Sequence, residues 1–322
     1  MITTENRQLN SAQRLILLTA TRQVSDSLIE LLRELLKNQV DWSFFVQFSV
    51  SQGTAPFFYK IIKEHHLETL VPESVFNAVQ GSYYHVLSKN VRAQEELKKI
   101  LKIFNDASIK TLLIKGMASA EYIYGDPGLR PMSDIDLLVE NKQLLTAEQL
   151  LFDMGFVNTE PYKSYKLRTL NIYNHLNAFQ NSRVKIELHH DLSSSHHIIR
   201  FPTEKVWDGA QIVNFGDENT HILKDEWNLI YLSIHLVSHF IKKNIRLNNF
   251  VDIAELIKVK QDKIDWSFIA EQCKIYNIRL PVFRAFSISR TYFHAPVPNE
   301  VIHQLDEGQD ALEAQFIHLL NT

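Results

Sequence analysis

Along the chain, the spacing of apolar residues changes from helical to strand-like and back to helical, and this change constrains the fold most strongly. Over the first hundred residues, apolar positions recur every three or four residues. Short strand-like segments occur only between about residues 110 and 213, and helical spacing returns after Asp225. The pattern predicts an α+β protein with a helical region over 1–105, a core containing the sheet over 106–218 and a second helical region over 219–322.

Capping and turn residues predict several individual elements. Asp41 and Asp265 each precede a Trp-Ser-Phe sequence, and we expect both to cap the helices that follow. Gly81 lies inside a long helical pattern and weakens it. The predicted elements are a helix over 73–104, a strand over 111–114, a helix over 118–124, a strand over 135–139, a helix over 143–154 and a hairpin with strands over 174–179 and 183–189.

Composition excludes several classes of protein. The 322 residues contain 34 Lys and Arg against 37 Asp and Glu, and the net charge of −3 gives no general basic field for nucleic acid. Cys273 is the single cysteine and cannot form an internal disulfide, as expected of a reducing compartment. The apolar run over 229–241 is shorter than the roughly 20 residues of a membrane span, and residues 1–7 lack the apolar core of a signal peptide. We therefore expect a cytoplasmic protein with no membrane partner.

The clearest predicted strand carries two acids. Asp134 and Asp136 are two residues apart, so on a strand their carboxylates lie on one face, about 7 Å apart along the backbone. Ile135 and Leu137 then face the core. Two neighbouring carboxylates repel each other unless a cation lies between them, and Mg²⁺ prefers such oxygen ligands. The alternative interpretation is a pair of solvated acids at a strand end.

The surroundings of this acid pair offer groups that bind phosphate. Lys115 and Gly116 end the preceding predicted strand, and a glycine lets backbone amides approach a phosphate closely. Arg130 supplies a second cation and Ser133 a hydroxyl, both just before Asp134. The glycine-rich motifs of P-loop, Rossmann and protein-kinase sites do not occur in the sequence.

Two longer segments carry a family resemblance. The first is Leu113-Ile114-Lys115-Gly116, and the second runs from Tyr124 to Val139 as YGDPGLRPMSDIDLLV. Together they closely resemble a bacterial nucleotidyltransferase-like family of the polymerase-β-type nucleotidyltransferase superfamily. The resemblance spans most of the chain, because the family's helical lead-in and tail are also matched. The matching positions are Val40-Asp41-Trp42, Pro56-Phe57-Phe58-Tyr59, His235, His239, Asp252 and Ile264-Asp265-Trp266.

The resemblance implies a small mixed β-sheet nucleotidyltransferase core flanked by the N- and C-terminal helical regions. Gly116 matches the family's glycine turn, although Met117 stands where many relatives have Ser or Gly. Glu187 corresponds to a third carboxylate, at a position where the family usually carries aspartate before Leu-His. The implied site residues are Asp134, Asp136 and Glu187 as catalytic and metal-binding groups, Lys115, Gly116, Arg130 and Ser133 as phosphate-binding groups, and His189 and Asp252 as acceptor-binding or supporting groups.

The resemblance also implies a reaction. We expect Mg²⁺ or Mn²⁺ to support transfer of a nucleoside monophosphate from a nucleoside triphosphate, ATP in the first instance, to an acceptor hydroxyl with release of pyrophosphate. Because the chain is slightly acidic, a small molecule, peptide or protein is favoured over nucleic acid as the acceptor.

Two other functional classes remain open from the sequence. The chain could be a catalytically silent nucleotide-binding or partner-binding module on the same fold. Alternatively, His235 and His239 are spaced four residues apart on a predicted helix and could hold zinc together with Asp252. Asp252 could also approach the cleft or pair with Arg246.

Overall fold

The computed structural model describes residues 9–159, 175–193, 201–241, 244–306 and 312–321. One mixed seven-stranded sheet is formed by these residues, and helices from both ends of the chain pack around it. The predicted fold class is therefore confirmed. The division into three regions stays a prediction.

Helices make up the N-terminal part. The caps follow local chemistry: the carboxylate of Asp41 accepts the Phe44 amide at 3.0 Å, as predicted. The long predicted helix is unbroken at Gly81, where the side chain of another residue would meet no neighbour. In chain order the helices are α1 (Ser11–Thr19), α2 (Asp26–Lys37), α3 (Trp42–Gln52), α4 (Ala55–Glu64) and α5 (Glu73–Asp106), with a 3₁₀ turn at Glu68–Leu70.

The sheet joins strands from most of the middle of the chain in the order β3-β4-β5-β2-β1-β7-β6. β2 pairs antiparallel with β1 and parallel with β5, and β1 pairs parallel with β7. The predicted strands over 111–114 and 135–139 are confirmed. The strands are β1 (Thr111–Ile114), β2 (Ile135–Val139), β3 (Val157–Asn158), β4 (Phe179–Gln180), β5 (Lys185–His189), β6 (Gln211–Phe215) and β7 (Glu218–Ile222).

Within the described ranges, three helices lie between the strands. The first of them continues directly into a π-helical turn at Ala120–Tyr124, so helical structure begins three residues earlier than predicted. A 3₁₀ turn at Asn141–Gln143 precedes the second. These helices are α6 (Lys115–Ser119), α7 (Leu144–Asp153) and α8 (Thr203–Asp208).

Three parts of the sheet differ from the sequence prediction: the short strand β3, which was not predicted, the β6–β7 hairpin, and the β4–β5 hairpin, whose strand β4 spans only Phe179–Gln180. In the β4–β5 hairpin, the Asn181 side chain accepts the amides of Arg183 and Val184 at 2.8 and 2.9 Å, so the turn extends to 184 and β5 begins at Lys185. Asn174, where the first strand was predicted to begin, lies outside the described residues. The β6–β7 hairpin was not predicted, and its last strand extends the sheet beyond residue 218.

Helices also make up the C-terminal part. Asp265 caps its helix as predicted, accepting the Phe268 amide at 2.9 Å. Among the described residues, no helix combines the length and apolar character needed to cross a membrane. The helices are α9 (Asp225–Ile241), α10 (Leu247–Lys260), α11 (Trp266–Ile275), α12 (Arg279–Phe293), α13 (Asn299–Leu305) and α14 (Leu312–Leu320).

Both faces of the sheet are covered, and this determines where Asp136 lies. Ile135 and Leu137 pack into a core with α5 and α7, as predicted. Leu112, Ile114 and Leu138 belong to the opposite face and join a core built from the N- and C-terminal helices. Because the pleat alternates, Asp136 lies on this second face, where it is buried, and Asp134 directly precedes the strand.

Candidate active site

The parallel pairing of β2 and β5 brings the predicted acids together. Asp136 lies opposite Glu187 in the register of the two strands. Since side chains two residues apart share a face, Lys185 and His189 of β5 lie on the same side as Glu187. The predicted placement of Glu187 and His189 on one face of their strand is present in the structure, with His189 Nε2 3.8 Å from Glu187 Oε2.

Asp136 is held by two donors. Its Oδ1 accepts a hydrogen bond from Lys115 Nζ at 2.6 Å and one from His189 Nε2 at 2.8 Å, and its side chain is 6% exposed. Burial alone would favour the neutral acid, but Lys115 and His189 hold the pKa of Asp136 well below its usual value. Burial would likewise lower the pKa of Lys115, and the Asp136 carboxylate raises it above its usual value instead. The two groups therefore form a buried ion pair.

Lys115 reaches Asp136 through an unusual backbone conformation. Its φ is 55°, in the left-handed region that non-glycine residues seldom adopt. Such conformations concentrate at functional sites, where the surrounding structure compensates for their cost. The neighbouring glycine, Gly116, has a different role from the turn predicted for it: a Cβ there would lie 3.1 Å from Met132 Cβ, so Gly116 allows the loop before Asp134 to pack closely.

His189 is a neutral, buried imidazole. Burial and the nearby Lys115 charge lower its pKa to about 4, although Asp136 opposes this shift. Because an ionised carboxylate only accepts hydrogen bonds, the ring proton of His189 must be on Nε2, which donates it in the hydrogen bond to Asp136. Nδ1 is then a lone-pair acceptor, and among the described residues it has no hydrogen-bond partner. The ring packs against His175, with centroids 5.1 Å apart.

Asp134 and Glu187 both contact the ammonium group of Lys185. Lys185 Nζ lies 3.2 Å from Glu187 Oε1 and 3.5 Å from Asp134 Oδ2. Burial and the charges of Asp136 and Glu187 raise the pKa of Asp134, so the carboxylates still repel one another despite this lysine and a 3.0 Å hydrogen bond from Ser133 Oγ. The sequence reasoning did not select Lys185, but the alternation that placed Glu187 and His189 on one face also includes it.

These residues suit a hard divalent cation. Ligand atoms of Asp136, Glu187 and His189 all lie within 4.8 Å of one another, and Asp134 adds a further carboxylate beside them. Three carboxylates face the ammonium groups of Lys115 and Lys185 around the neutral His189 ring, so the group carries one net negative charge. This charge is consistent with the raised pKa of Asp134. Carboxylate oxygens are the ligands that Mg²⁺ and Mn²⁺ prefer. The donor set therefore fits the predicted metal.

Arg130 and Asp252 form a separate buried pair. Arg130 donates from Nε to Asp252 Oδ1 at 2.8 Å and from Nη2 to Oδ2 at 2.7 Å, and Tyr124 donates its hydroxyl to Oδ1 at 2.8 Å. Arg130 also donates to the Pro131 carbonyl. Asp252 thus pairs with Arg130 rather than Arg246. Phosphate binding by Arg130 stays a prediction, although its guanidinium already has partners.

The loop between Gly125 and Ser133 is anchored from the helical region. The Asp126 carboxylate accepts hydrogen bonds from Lys60 Nζ at 2.7 Å, the Tyr83 hydroxyl at 3.1 Å and the Gly128 amide at 2.8 Å. A Cβ at Gly128 would lie 2.4 Å from the Tyr83 ring, so only glycine permits this approach. The loop that precedes Asp134 is therefore firmly positioned.

Helix α9 packs next to the acids. Tyr231 is buried, its hydroxyl contacts Lys115, and burial raises its pKa. One turn further on, the Nε2 atoms of His235 and His239 are 2.8 Å apart. The described residues contain no group of three potential ligands that includes either histidine, and Asp252 is paired with Arg130. The zinc site considered from the sequence therefore does not form among these residues.

The fold and site together define a nucleotidyltransferase-type protein: a mixed sheet carries Asp136 on one strand, Asp134 directly before that strand, and a third acid on the adjacent parallel strand. Residues 38–294 match a family model described as Uncharacterised nucleotidyltransferase, and the chain belongs to this family. The resemblance stated from the sequence is confirmed, and the matched range includes the predicted lead-in and tail segments.

Other comparisons are more distant. No curated protein matches the sequence. A solved structure of an antigenic nucleotidyltransferase-like protein from Paracoccidioides brasiliensis is similar over 65% of this chain and 96% of that chain, with a TM-score of 0.38 and 16% identity.

Proposed function

We propose that the protein transfers a nucleoside monophosphate from a nucleoside triphosphate to an acceptor hydroxyl and releases pyrophosphate. The observation that carries this proposal is the alignment of Asp136 with Glu187 on adjacent parallel strands, with Asp134 and Lys185 beside them. Membership of a nucleotidyltransferase family supports it.

Asp134, Asp136 and Glu187 would hold Mg²⁺ or Mn²⁺, with His189 next to them. When bound, such an ion stabilises negative charge on the entering and leaving oxygens. Lys115 and His189 orient Asp136, because both donate to the same carboxylate oxygen, Oδ1. Asp134 lies next to Ser133, an exposed residue whose hydroxyl donates to the Asp134 carboxylate and would have to turn away from it to donate to a phosphate.

In the proposed reaction, the acceptor oxygen forms a bond to the α-phosphorus while the bond from that phosphorus to the bridging oxygen breaks. Glu187 takes the acceptor proton, and pyrophosphate leaves with the electron pair of the broken bond. General-base catalysis of this kind contributes roughly 10²–10⁴ in rate. Lys115, Gly116, Arg130 and Ser133 are the candidate groups for the departing phosphates, with positioning and electrostatics supplying most of the catalysis.

The finer assignments are part of the same proposal. We take ATP as the first triphosphate to test, and a small molecule, peptide or protein as the acceptor, because a chain of net charge −3 has little attraction for nucleic acid. We expect the protein in the cytoplasm, where its single, buried Cys273 would stay reduced.

The test is incubation with Mg²⁺ and each of the four α-labelled nucleoside triphosphates, with a cell extract as the source of acceptor. We expect a labelled product and pyrophosphate. Glu187→Gln should lower the rate by roughly 10²–10⁴, since it removes the base and one anionic ligand. The matched control is Glu140→Gln, which changes a half-buried glutamate after the opposite end of β2 and should leave the rate unchanged.

Two outcomes would contradict the proposal. Equal rates in Glu187→Gln and Glu140→Gln would remove Glu187 from the mechanism. Failure of the wild-type protein to label any acceptor with all four nucleotides, together with normal nucleotide binding, would favour the catalytically silent module instead.

A further inference from the structure

Lys185 differs from the other two cations of the site region in how it is held. Lys115 makes a 2.6 Å contact with Asp136 and Arg130 a two-point contact with Asp252, and their side chains are only 15% and 9% exposed. The Lys185 side chain is 35% exposed, and its contacts with Glu187 and Asp134 are 3.2 and 3.5 Å long. Among the described residues around the acids, Lys185 is therefore the cation with the most freedom to move.

The partners of Lys185 explain what would release it. Glu187 and Asp134 are the carboxylates proposed to hold the divalent cation, so the ammonium and the metal compete for the same oxygens. Once these carboxylates are neutralised by a metal, the attraction that holds the ammonium is lost.

A triphosphate provides the next partner. Lysine is a flexible point charge with three donors and readily follows a phosphate group. Lys185 lies on the same face of β5 as Glu187, at the more exposed end of the cluster. A triphosphate bound through metal on these acids would bring several negative charges within reach of its four-carbon side chain.

We propose that Lys185 is a triphosphate-binding cation of this site, and that it serves as the internal counter-ion of Asp134 and Glu187 until metal and nucleotide bind. This inference rests on the proposed function. Arg130 then acts as a positioning residue, which fixes the loop before Asp134 through Asp252.

If Lys185 is a counter-ion that competes with the metal, its removal should increase the affinity for Mn²⁺. Titration calorimetry with Mn²⁺ alone should show that Lys185→Gln binds Mn²⁺ about two- to fivefold more tightly than wild type, since a partly exposed ion pair worth up to about 1 kcal/mol no longer competes. Lys142→Gln is the matched control, because Lys142 pairs with Glu140 at 2.6 Å beyond the other end of β2. We expect its Mn²⁺ affinity to equal that of wild type.

The phosphate role predicts the opposite sign for the nucleotide. The probes are the four α,β-methylene nucleoside triphosphates as Mn²⁺ complexes, used in turn. Lys185→Gln should weaken binding by about 10- to 100-fold, the range expected for hydrogen bonds to charged groups, and Lys185→Arg should restore most of it. If the glutamine variant does not fold, Lys185→Met replaces it in both titrations.

Opposite signs in the two titrations support the inference, because a merely structural lysine would weaken both. Unchanged nucleotide affinity in Lys185→Gln, or weaker Mn²⁺ binding, would overturn it. Failure of the wild-type protein to bind any Mn²⁺–nucleotide complex would instead count against the proposed function, and the Mn²⁺ titration alone would still test the counter-ion role.

Discussion

Two acidic regions lie on either side of the loop over 125–133, and they are satisfied to different degrees. The Asp252 carboxylate accepts hydrogen bonds from the guanidinium of Arg130 and the hydroxyl of Tyr124, and all three side chains are buried. At the β2–β5 pair, three carboxylates share two lysines and one neutral histidine. The first region has its charges balanced internally, and the second retains an unbalanced negative charge.

This difference separates a structural ion pair from a ligand site. A buried carboxylate with a two-point arginine contact gains nothing from a further cation and loses much if its partner is removed. Carboxylates that repel one another are stabilised by an added cation. The Asp134–Asp136–Glu187 region is therefore the one that depends on a ligand to complete its charge balance.

The largest stability effect is expected at the balanced region. Asp252→Asn leaves the Arg130 guanidinium buried without its anion, and loss of one partner of a buried pair costs about 3–5 kcal/mol. Urea unfolding of the metal-free protein measures this free energy. The matched control is Asp153→Asn, which removes an exposed carboxylate that accepts a hydrogen bond from Gln149 at 2.9 Å and should change stability by less than about 0.5 kcal/mol.

Nucleotide affinity of Asp252→Asn then separates the two roles considered for Arg130. If Arg130 is purely a positioning residue, the folded variant binds nucleotide no more tightly than wild type. Stronger binding after release of the guanidinium would show that Arg130 can serve as a phosphate ligand, and would weaken the distinction between the two regions.

A divalent metal should stabilise the folded protein only by binding at the Asp134–Asp136–Glu187 region. Mg²⁺ at 100 times its dissociation constant should raise the free energy of unfolding by about 2.7 kcal/mol. Glu187→Gln should lose most of this increment, whereas Asp252→Asn should keep it despite its lower starting stability. The measurement is urea unfolding with Mg²⁺ and with EDTA. Equal increments in the two variants would mean that the metal binds elsewhere.

The parts of the site that sequence could predict are those that depend on local periodicity. The two-residue period of a strand placed Glu187 and His189 on one face, and the resemblance identified Asp134 and Asp136 as the acids facing them. Even Lys185 was accessible to the same reasoning. These predictions succeed because alternation in a strand depends on backbone geometry that neighbouring elements do not alter.

Other features depend on contacts between distant parts of the chain. Arg130 and Asp252 are 122 residues apart, so nothing local indicates that the guanidinium is already engaged. In the β6–β7 hairpin, strand β7 is mostly polar and the apolar residues of β6 do not alternate regularly, although the Gly216-Asp217 pair is a recognised turn signal. Similarly, the left-handed conformation of Lys115 accompanies a contact with Asp136, 21 residues away, whereas local sequence would assign the turn to Gly116.

The smallest expected effect has the opposite sign to that of Asp252→Asn. Asp134→Asn should stabilise the metal-free protein at pH 7 by about 0.5–2 kcal/mol, because it removes a carboxylate that burial and the charges of Asp136 and Glu187 disfavour. A raised pKa means that the folded state binds the proton more tightly than the unfolded chain. The wild-type protein therefore recovers this stability as the pH falls through the raised pKa toward about 3.9, the unfolded value.

The advantage of Asp134→Asn should accordingly be present at pH 7 and disappear near pH 4, as measured by urea unfolding in EDTA at both values. Adding Mg²⁺ at pH 7 should reverse the order of stability, since the wild-type carboxylate then contributes to binding. A variant less stable than wild type in EDTA would show that Asp134 is already satisfied by Lys185 and Ser133. The two acidic regions would then be alike in their charge balance, and the case for a ligand at β2 would rest on Asp136 and Glu187 alone.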